Sequence, residues 1–283
     1  MAEARYKVWQ GNGETILYTP YEYSNTWTIE SYWNDVTMHT FFKNHWFKSV
    51  YLAIGYVIAT NLLQKYMEGK KPMSMRPLLL VWNGFLAVFS IIGTWRFGIE
   101  FYNAVFQRGL VDSICLSVNP QSPAAFWACM FVFSKIAEFG DTMFLVLRKR
   151  PVIFLHWYHH AVVLVLSWHA AVELTAAGRW FIFMNYFVHS IMYSYYAITS
   201  IGYRLPKIIS MTVTALQTVQ MLIGVGISVV VLGLKLNGEV CQQSYDNLAL
   251  SFAIYASFLV LFSSFFNNAY LVKKPVKSAV KAE

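Results

Sequence analysis

Seven long apolar stretches set the pattern of the chain. They run at roughly 46–64, 78–99, 124–147, 152–172, 180–202, 208–233 and 248–272, with short polar breaks between them. Each holds about 20 residues or more, enough for a helix to cross a hydrocarbon core of about 30 Å. The pattern predicts an all-α integral membrane protein with seven transmembrane helices. Residues 1–45 read as a polar and aromatic N-terminal segment, 46–272 as the seven-helix membrane domain, and 273–283 as a basic tail. Spans three and four are separated only by Arg148, Lys149, Arg150 and Pro151, and the proline suits the first turn of the following helix.

Polar residues inside these apolar stretches are the exception, and they cluster. His156, His159 and His160 fall within an arc of about 100° on one helix face. Upstream, Lys135, Glu138, Asp141 and Thr142 fall within an arc of about 120° on another helix face. On span five, Asn185, His189, Met192, Tyr193 and Tyr196 share a face, and span six carries Gln217 and Gln220. Ionisable groups at membrane depth are costly and ordinarily face a bundle interior or a wet cavity. Four helices with polar stripes at overlapping depth predict one buried polar site.

Composition supports the membrane reading. Hydrophobic residues make up 57% of the 283 and charged residues 13%, about half the share usual in soluble domains. The formal charge of +8 is distributed unevenly. Lys65, Lys70, Lys71, Arg76, Arg148, Lys149, Arg150, Arg204, Lys207, Lys273, Lys274, Lys277 and Lys281 fall on one side of the seven-span scheme. Arg108, Arg179 and Lys235 fall in the opposite loops. The positive-inside rule makes the basic side cytosolic, with the N-terminus across the membrane and the C-terminus in the cytosol. No cleavable signal peptide is expected, because the first forty residues contain no apolar core.

Histidine near neutral pH serves as general base or acid, and as a nucleophile through an acyl-imidazole. Glu138 and Asp141 are candidates to orient imidazoles, and Lys135 to neutralise those carboxylates or meet an anion. Asn185, Gln217, Gln220 and Tyr193 are candidate donors to a carbonyl or oxyanion. Arg148, Lys149, Arg150, Arg204, Lys207, Lys273 and Lys274 form a basic rim that suits phosphates, though topology alone explains such a rim equally well. A buried Lys135–Glu138 ion pair or interhelical amide bridges would need no chemistry. Metal is not expected: HxxHH boxes also occur in membrane di-iron enzymes, but two metal shells need more histidines than the four at useful depth here. A transporter or receptor would explain the topology without explaining the histidine cluster.

The residues nevertheless resemble one family through four motifs in order. Lys135-Ile-Ala-Glu138-Phe-Gly-Asp141-Thr142 resembles a KxxExxDT motif, and His156-Trp-Tyr-His159-His160 an HxxHH box. His189-Ser-Ile-Met192-Tyr193-Ser-Tyr195-Tyr196 resembles HxxMYxYY, and Thr214-Ala-Leu-Gln217-Thr-Val-Gln220 resembles TxxQxxQ. This is the pattern of the ELO-type fatty acid elongases, over about residues 46–275. The HWYHH variant looks like the subgroup acting on saturated and monounsaturated chains. The resemblance implies six of the seven helices around a substrate tunnel, and a site in the endoplasmic reticulum membrane open to the cytosol. It implies condensation of long-chain acyl-CoA with malonyl-CoA to a 3-oxoacyl-CoA, CoA and CO2. No metal or redox cofactor is expected. A 3-oxoacyl-CoA reductase, a 3-hydroxyacyl-CoA dehydratase and an enoyl-CoA reductase are implied as partners. Nothing points to nucleic acid, and a homo-oligomer is left open. On this reading His159 or His160 accepts the acyl group and His189 assists. Glu138 and Asp141 tune the imidazoles, and Gln217 with Asn185 helps stabilise the oxyanion. The competing version keeps a histidine as base only, with no covalent stage.

Two smaller expectations complete the reading. Cys115 and Cys241 fall in loops on the predicted lumenal side, where an oxidising compartment allows them to pair; Cys129 lies inside span three. The chain ends Val280-Lys281-Ala282-Glu283, without the dilysine ending found in many members of the family. Retention in the endoplasmic reticulum is then expected to rest on a weaker signal or on partners.

Overall fold

The computed structural model describes residues 5–272. Every apolar stretch becomes helical. After a short helix α1 (Asp35–His45), the long elements are α2 (Lys48–Met67), α3 (Arg76–Tyr102) and, beyond the short α4 (Leu110–Cys115), α5 (Pro123–Ala137) and α6 (Phe139–Leu147). Then come α7 (Phe154–Glu173), α8 (Gly178–Ser200), α9 (Lys207–Leu236) and α10 (Tyr245–Phe266). By length and composition, the helical stretches Arg76–Gln107, Lys207–Leu236 and Tyr245–Leu271 suffice to cross a membrane. A fourth span results if α1 and α2, bent by 62°, count as one. The chain is thus a membrane protein with fewer qualifying helices than the seven apolar stretches suggested. The cause is chemical: α5 and α6 are short pieces of one broken stretch, and α7 and α8 carry the polar residues of the site.

Helices α3, α5, α7, α10, α9 and α8 pack in that cyclic order, each against the next, and α8 closes the ring on α3. Helix α2 stands outside, against α6 and α7. The α3–α8 contact is close because Gly93 faces Tyr186: a Cβ there would stand 2.3 Å from the ring. Tyr186 is buried and donates its hydroxyl to the Trp127 carbonyl at 2.9 Å, which ties α8 to α5.

Two sequence expectations need correction. The fold is not all-α, because residues 7–18 form an antiparallel hairpin of β1 (Lys7–Gly11) and β2 (Glu14–Tyr18). Its turn, Asn12-Gly13, takes positive φ at both positions (54° and 78°), as a two-residue hairpin loop requires. The third stretch is not one helix. It breaks at Glu138, which ends α5 and begins α6, so the octet from Lys135 to Thr142 does not lie along one continuous face.

The hairpin and α1 cover the end of the ring opposite Arg148–Arg150. Strand β2 exchanges backbone hydrogen bonds with Ser117, and the Trp9 indole donates to Asp35 of α1 at 2.6 Å. Cys115 and Cys241 are joined in a disulfide that links the α4 end to the α9–α10 loop. Two buried charge clusters lock this end. Arg179, fully enclosed at the start of α8, pairs with Glu100 of α3 at 2.8 Å and donates to the carbonyls of Ser113, Leu116 and Ser117. Arg96 pairs with Glu30 at 2.5 Å, and the Trp127 indole donates to the same carboxylate. Arg179 was counted above as a loop charge; it is instead an internal cross-link. The tail 273–283, with Lys273 and Lys274, lies outside the described residues.

Candidate active site

The break at Glu138 brings the carboxylate into the ring. Lys135 Nζ donates to Glu138 Oε1 at 2.6 Å and to Asn185 Oδ1 of α8 at 2.8 Å. Ser134 adds a hydroxyl donor to Glu138 at 3.2 Å. The Asn185 amide nitrogen faces His189 Nε2 at 3.2 Å. With its oxygen committed to Lys135, the amide must donate, so a neutral His189 carries its proton on Nδ1. That nitrogen lies 3.6 Å from Glu138 Oε1. Lys135, Glu138, Asn185 and His189 therefore form one closed polar circuit between α5 and α8. All four are buried.

The histidine box lies across the ring on α7, and its members face different neighbours. His159 packs against Phe258 (ring centroids 4.6 Å) and Phe262 (5.9 Å) of α10. His160 lies between His156 (4.7 Å) and His159 (5.6 Å). The Nδ1 atoms of His159 and His160 are buried without a hydrogen-bond partner. His156 contacts Thr142 of α6 through Nε2 at 2.9 Å, and Thr142 meets the Tyr56 hydroxyl of α2 at 2.6 Å. It belongs to a polar chain leading out of the ring.

Asp141 does not contact a histidine. It accepts from the Trp82 indole and from the Tyr193 hydroxyl, both at 2.7 Å. Tyr193 in turn stands edge-on to His189, ring centroids 5.2 Å apart. The expectation that Asp141 orients an imidazole is corrected to an indirect one, through Tyr193. Trp82 was missed by the sequence reading, and its approach depends on Gly140: a Cβ there would stand 2.6 Å from the indole. Gln217 donates to the Met192 sulfur at 3.2 Å, whereas Gln220, buried, lines the cavity described next.

A cavity opens from this site. His159, Asn185 and Gln220 stand on its wall at one end. Beyond them the lining is mostly apolar, with Val132, Leu166 and Ile182 along its length. Trp33 and Met38, from the N-terminal segment and α1, stand on the wall at the disulfide end. Of the box histidines only His159 lines it. Counting along α7 from His159 to Leu174, at about 1.5 Å per residue, gives a reach of about 22 Å. Among the described residues no three His, Cys, Asp or Glu side chains converge to hold a metal ion.

The basic rim separates into parts. Arg148, Lys149 and Arg150 line a cleft with residues 72–76, while Lys207 lies over the Tyr270 ring at 5.6 Å and Arg204 sits in the loop before it.

A ring of membrane helices around an apolar cavity, with an acid–base cluster at one end, defines a membrane protein built to handle a long apolar molecule. The family model of the GNS1/SUR4 family of ELO proteins matches residues 41–278, and the chain belongs to that family. A Caenorhabditis elegans protein named as a fatty acid elongase is 47% identical over 275 residues, 96% of this chain and 94% of its own. The very long chain fatty acid elongase 6 of Drosophila melanogaster is 45% identical over 219 residues, 76% of this chain and 69% of its own. The mouse protein of the same name is 38% identical over 257 residues, 90% and 96% of the two chains.

Proposed function

We propose that the chain is a fatty acid elongase that condenses a long-chain acyl-CoA with malonyl-CoA. The observation that carries this reading is a cavity, mostly apolar along its length, that bears His159 beside the Lys135–Glu138–Asn185–His189 circuit at one end. An acyl chain fills the apolar part and leaves its thioester at the histidines. The names of the relatives point the same way.

In the proposed reaction, His159 attacks the thioester carbonyl through an imidazole nitrogen. The tetrahedral intermediate expels CoA thiolate, the imidazole N–H proton passes to the departing sulfur, and a neutral acyl-imidazole remains. Malonyl-CoA then binds and loses CO2, and its enolate carbon attacks the acyl-imidazole. The carbon–nitrogen bond breaks, the leaving imidazole nitrogen takes up a proton from solvent, and the 3-oxoacyl-CoA is released two carbons longer. His189, held in one tautomer between Asn185 and Glu138, is suited to assist proton transfer. His160 is the alternative acceptor, since its Nδ1 is also unpartnered. Gln220, on the cavity wall, is better placed than Gln217 to donate to a developing oxyanion. Arg204, Lys207, Lys273 and Lys274 remain the proposed rim for CoA phosphates.

The finer setting is part of the proposal. It comprises seven spans with six around the tunnel, residence in the endoplasmic reticulum with the basic end cytosolic, no metal or redox cofactor, and transfer of product to the reductase and dehydratase partners. The test is turnover of palmitoyl-CoA with radiolabelled malonyl-CoA by purified protein, without NADPH or added metal. Wild type should release labelled 3-oxoacyl-CoA and the His159→Ala variant none. Product from both would remove His159 as acceptor. An acyl adduct trapped with acyl-CoA alone separates the covalent route from a histidine acting only as base.

A further inference from the structure

A second, open concavity lies at the basic end between the α2–α3 loop and the α6–α7 loop. Its side chains include Arg76, Arg148, Lys149 and Arg150, with residues 72–75 as the opposite wall, and no carboxylate lines it. Among the described residues none of these four cations is in an ion pair. The two loops are tied together: the Met73 amide donates to the Leu147 carbonyl at 3.0 Å, and Lys149 Nζ to the Glu68 carbonyl at 2.8 Å. Lys149 holds φ of +53°, an uncommon conformation for a side-chain-bearing residue. The first turn of α3, which begins at Arg76 and carries Pro77, has no side-chain cap, so the amides of Arg76 and Leu78 add to the positive field.

Positive-inside topology accounts for basic residues in these loops but not for their convergence on a walled cleft free of acids. Guanidinium forks match phosphate oxygens in pairs. Just below the cleft, the adjoining turns of α2, α3 and α6 expose Leu62, Tyr66, Leu78, Val81 and Met143. A headgroup above an apolar surface is the arrangement an amphiphile offers. The cleft also shares no lining residue with the histidine cavity, and it borders α2, which stands outside the ring.

We propose that this cleft binds the phosphate of an anionic membrane phospholipid. The acyl tails lie along the exposed apolar faces of α2 and α3, and Arg76, Arg148 and Arg150 hold the headgroup. Juxtamembrane Lys and Arg clusters attract acidic lipids of the cytosolic leaflet, the leaflet this end faces in the proposed orientation. The inference rests on the membrane reading and is independent of the elongation chemistry.

The test uses delipidated full-length protein in detergent, titrated with phosphatidic acid, phosphatidylserine or phosphatidylcholine and followed by native mass spectrometry. Wild type should retain one anionic lipid in preference to phosphatidylcholine. Arg76→Gln/Arg148→Gln/Arg150→Gln should bind it roughly tenfold more weakly or worse, and the corresponding triple lysine variant should recover part of the loss. An unchanged melting temperature of the glutamine variant without lipid ties the loss to the cleft. Equal retention of all three lipids, or unchanged binding by the glutamine variant, overturns the proposal. Displacement of the lipid by 3′,5′-ADP, a fragment of CoA, also overturns it, by assigning the cleft to the CoA phosphates.

Discussion

Lys135→Met is the substitution that best separates fold from chemistry here. The Lys135 and Glu138 side chains are 1% and 3% exposed and meet at 2.6 Å. Removing the ammonium strands the Glu138 carboxylate, whose Oε2 already has no partner, and frees the oxygen of Asn185. Breaking a buried ion pair from one side costs about 3–5 kcal/mol. Replacing both partners by apolar residues of similar size is often close to neutral. Lys135→Met should therefore lower the unfolding midpoint sharply, and Lys135→Met/Glu138→Leu should recover most of the loss. Condensing activity should be absent from both, because neither keeps the circuit that holds His189. Unfolding in mixed micelles followed by tryptophan fluorescence, beside the labelled malonyl-CoA assay, reads both quantities. A double variant as unstable as the single one would refute the charge argument. An active double variant would refute the role of the circuit.

Three further outcomes follow from the geometry. Trp33→Ala and Met38→Ala enlarge the far wall of the cavity and should shift products to longer chains; an unchanged product distribution over a panel of acyl-CoAs counts against that wall as the limit. Trp82→Phe removes one of two donors to the buried Asp141 and should cost about 1–3 kcal/mol of stability. Its turnover should fall without a matching rise in KM if the Asp141–Tyr193 contact positions His189, whereas an unchanged kcat sinks that link. Burial opposes ionisation of Glu30, but Arg96, the Trp27 amide and the Trp127 indole together hold its carboxyl below the usual range. A lowered folded-state pKa gives stability that is fully present above the ordinary Glu value of about 4.3 and lost as pH falls through the folded one. The stability gap between wild type and Glu30→Gln should thus be constant near neutrality and close in acid, and a gap that widens in acid refutes the assignment.

Helices were legible because period and apolarity agree over long stretches, and the polar residues stood out because membrane depth makes them expensive. The hairpin had one local signal, Asn12-Gly13, but Lys7–Gln10 and Glu14–Tyr18 on either side do not alternate between apolar and polar residues, so no strand pattern stood beside it. The break at Glu138 had no local signal, since Phe139, Gly140 and the residues around them read as helix. Trp82 and Tyr56 were invisible for another reason: aromatics on apolar helices are ordinary, and only tertiary contact shows that an indole N–H or a phenol has found Asp141 or Thr142. Burial of Arg179 and Arg96 was equally hidden, because partners such as Glu100 and Glu30 are distant in sequence.

The break at Glu138 changes how the octet from Lys135 to Thr142 is understood. Lys135 and Glu138 answer to α8, through Asn185 and His189, while Thr142 answers to α2 and α7, through Tyr56 and His156. The octet thus serves two groups of contacts, one on each side of a helix break. Deleting one residue between Phe139 and Asp141 would turn the second group by about 100° and leave the first in place. Asp141 nevertheless ties the second half back to α8 through Tyr193, so the two halves reach His189 from either side of the break.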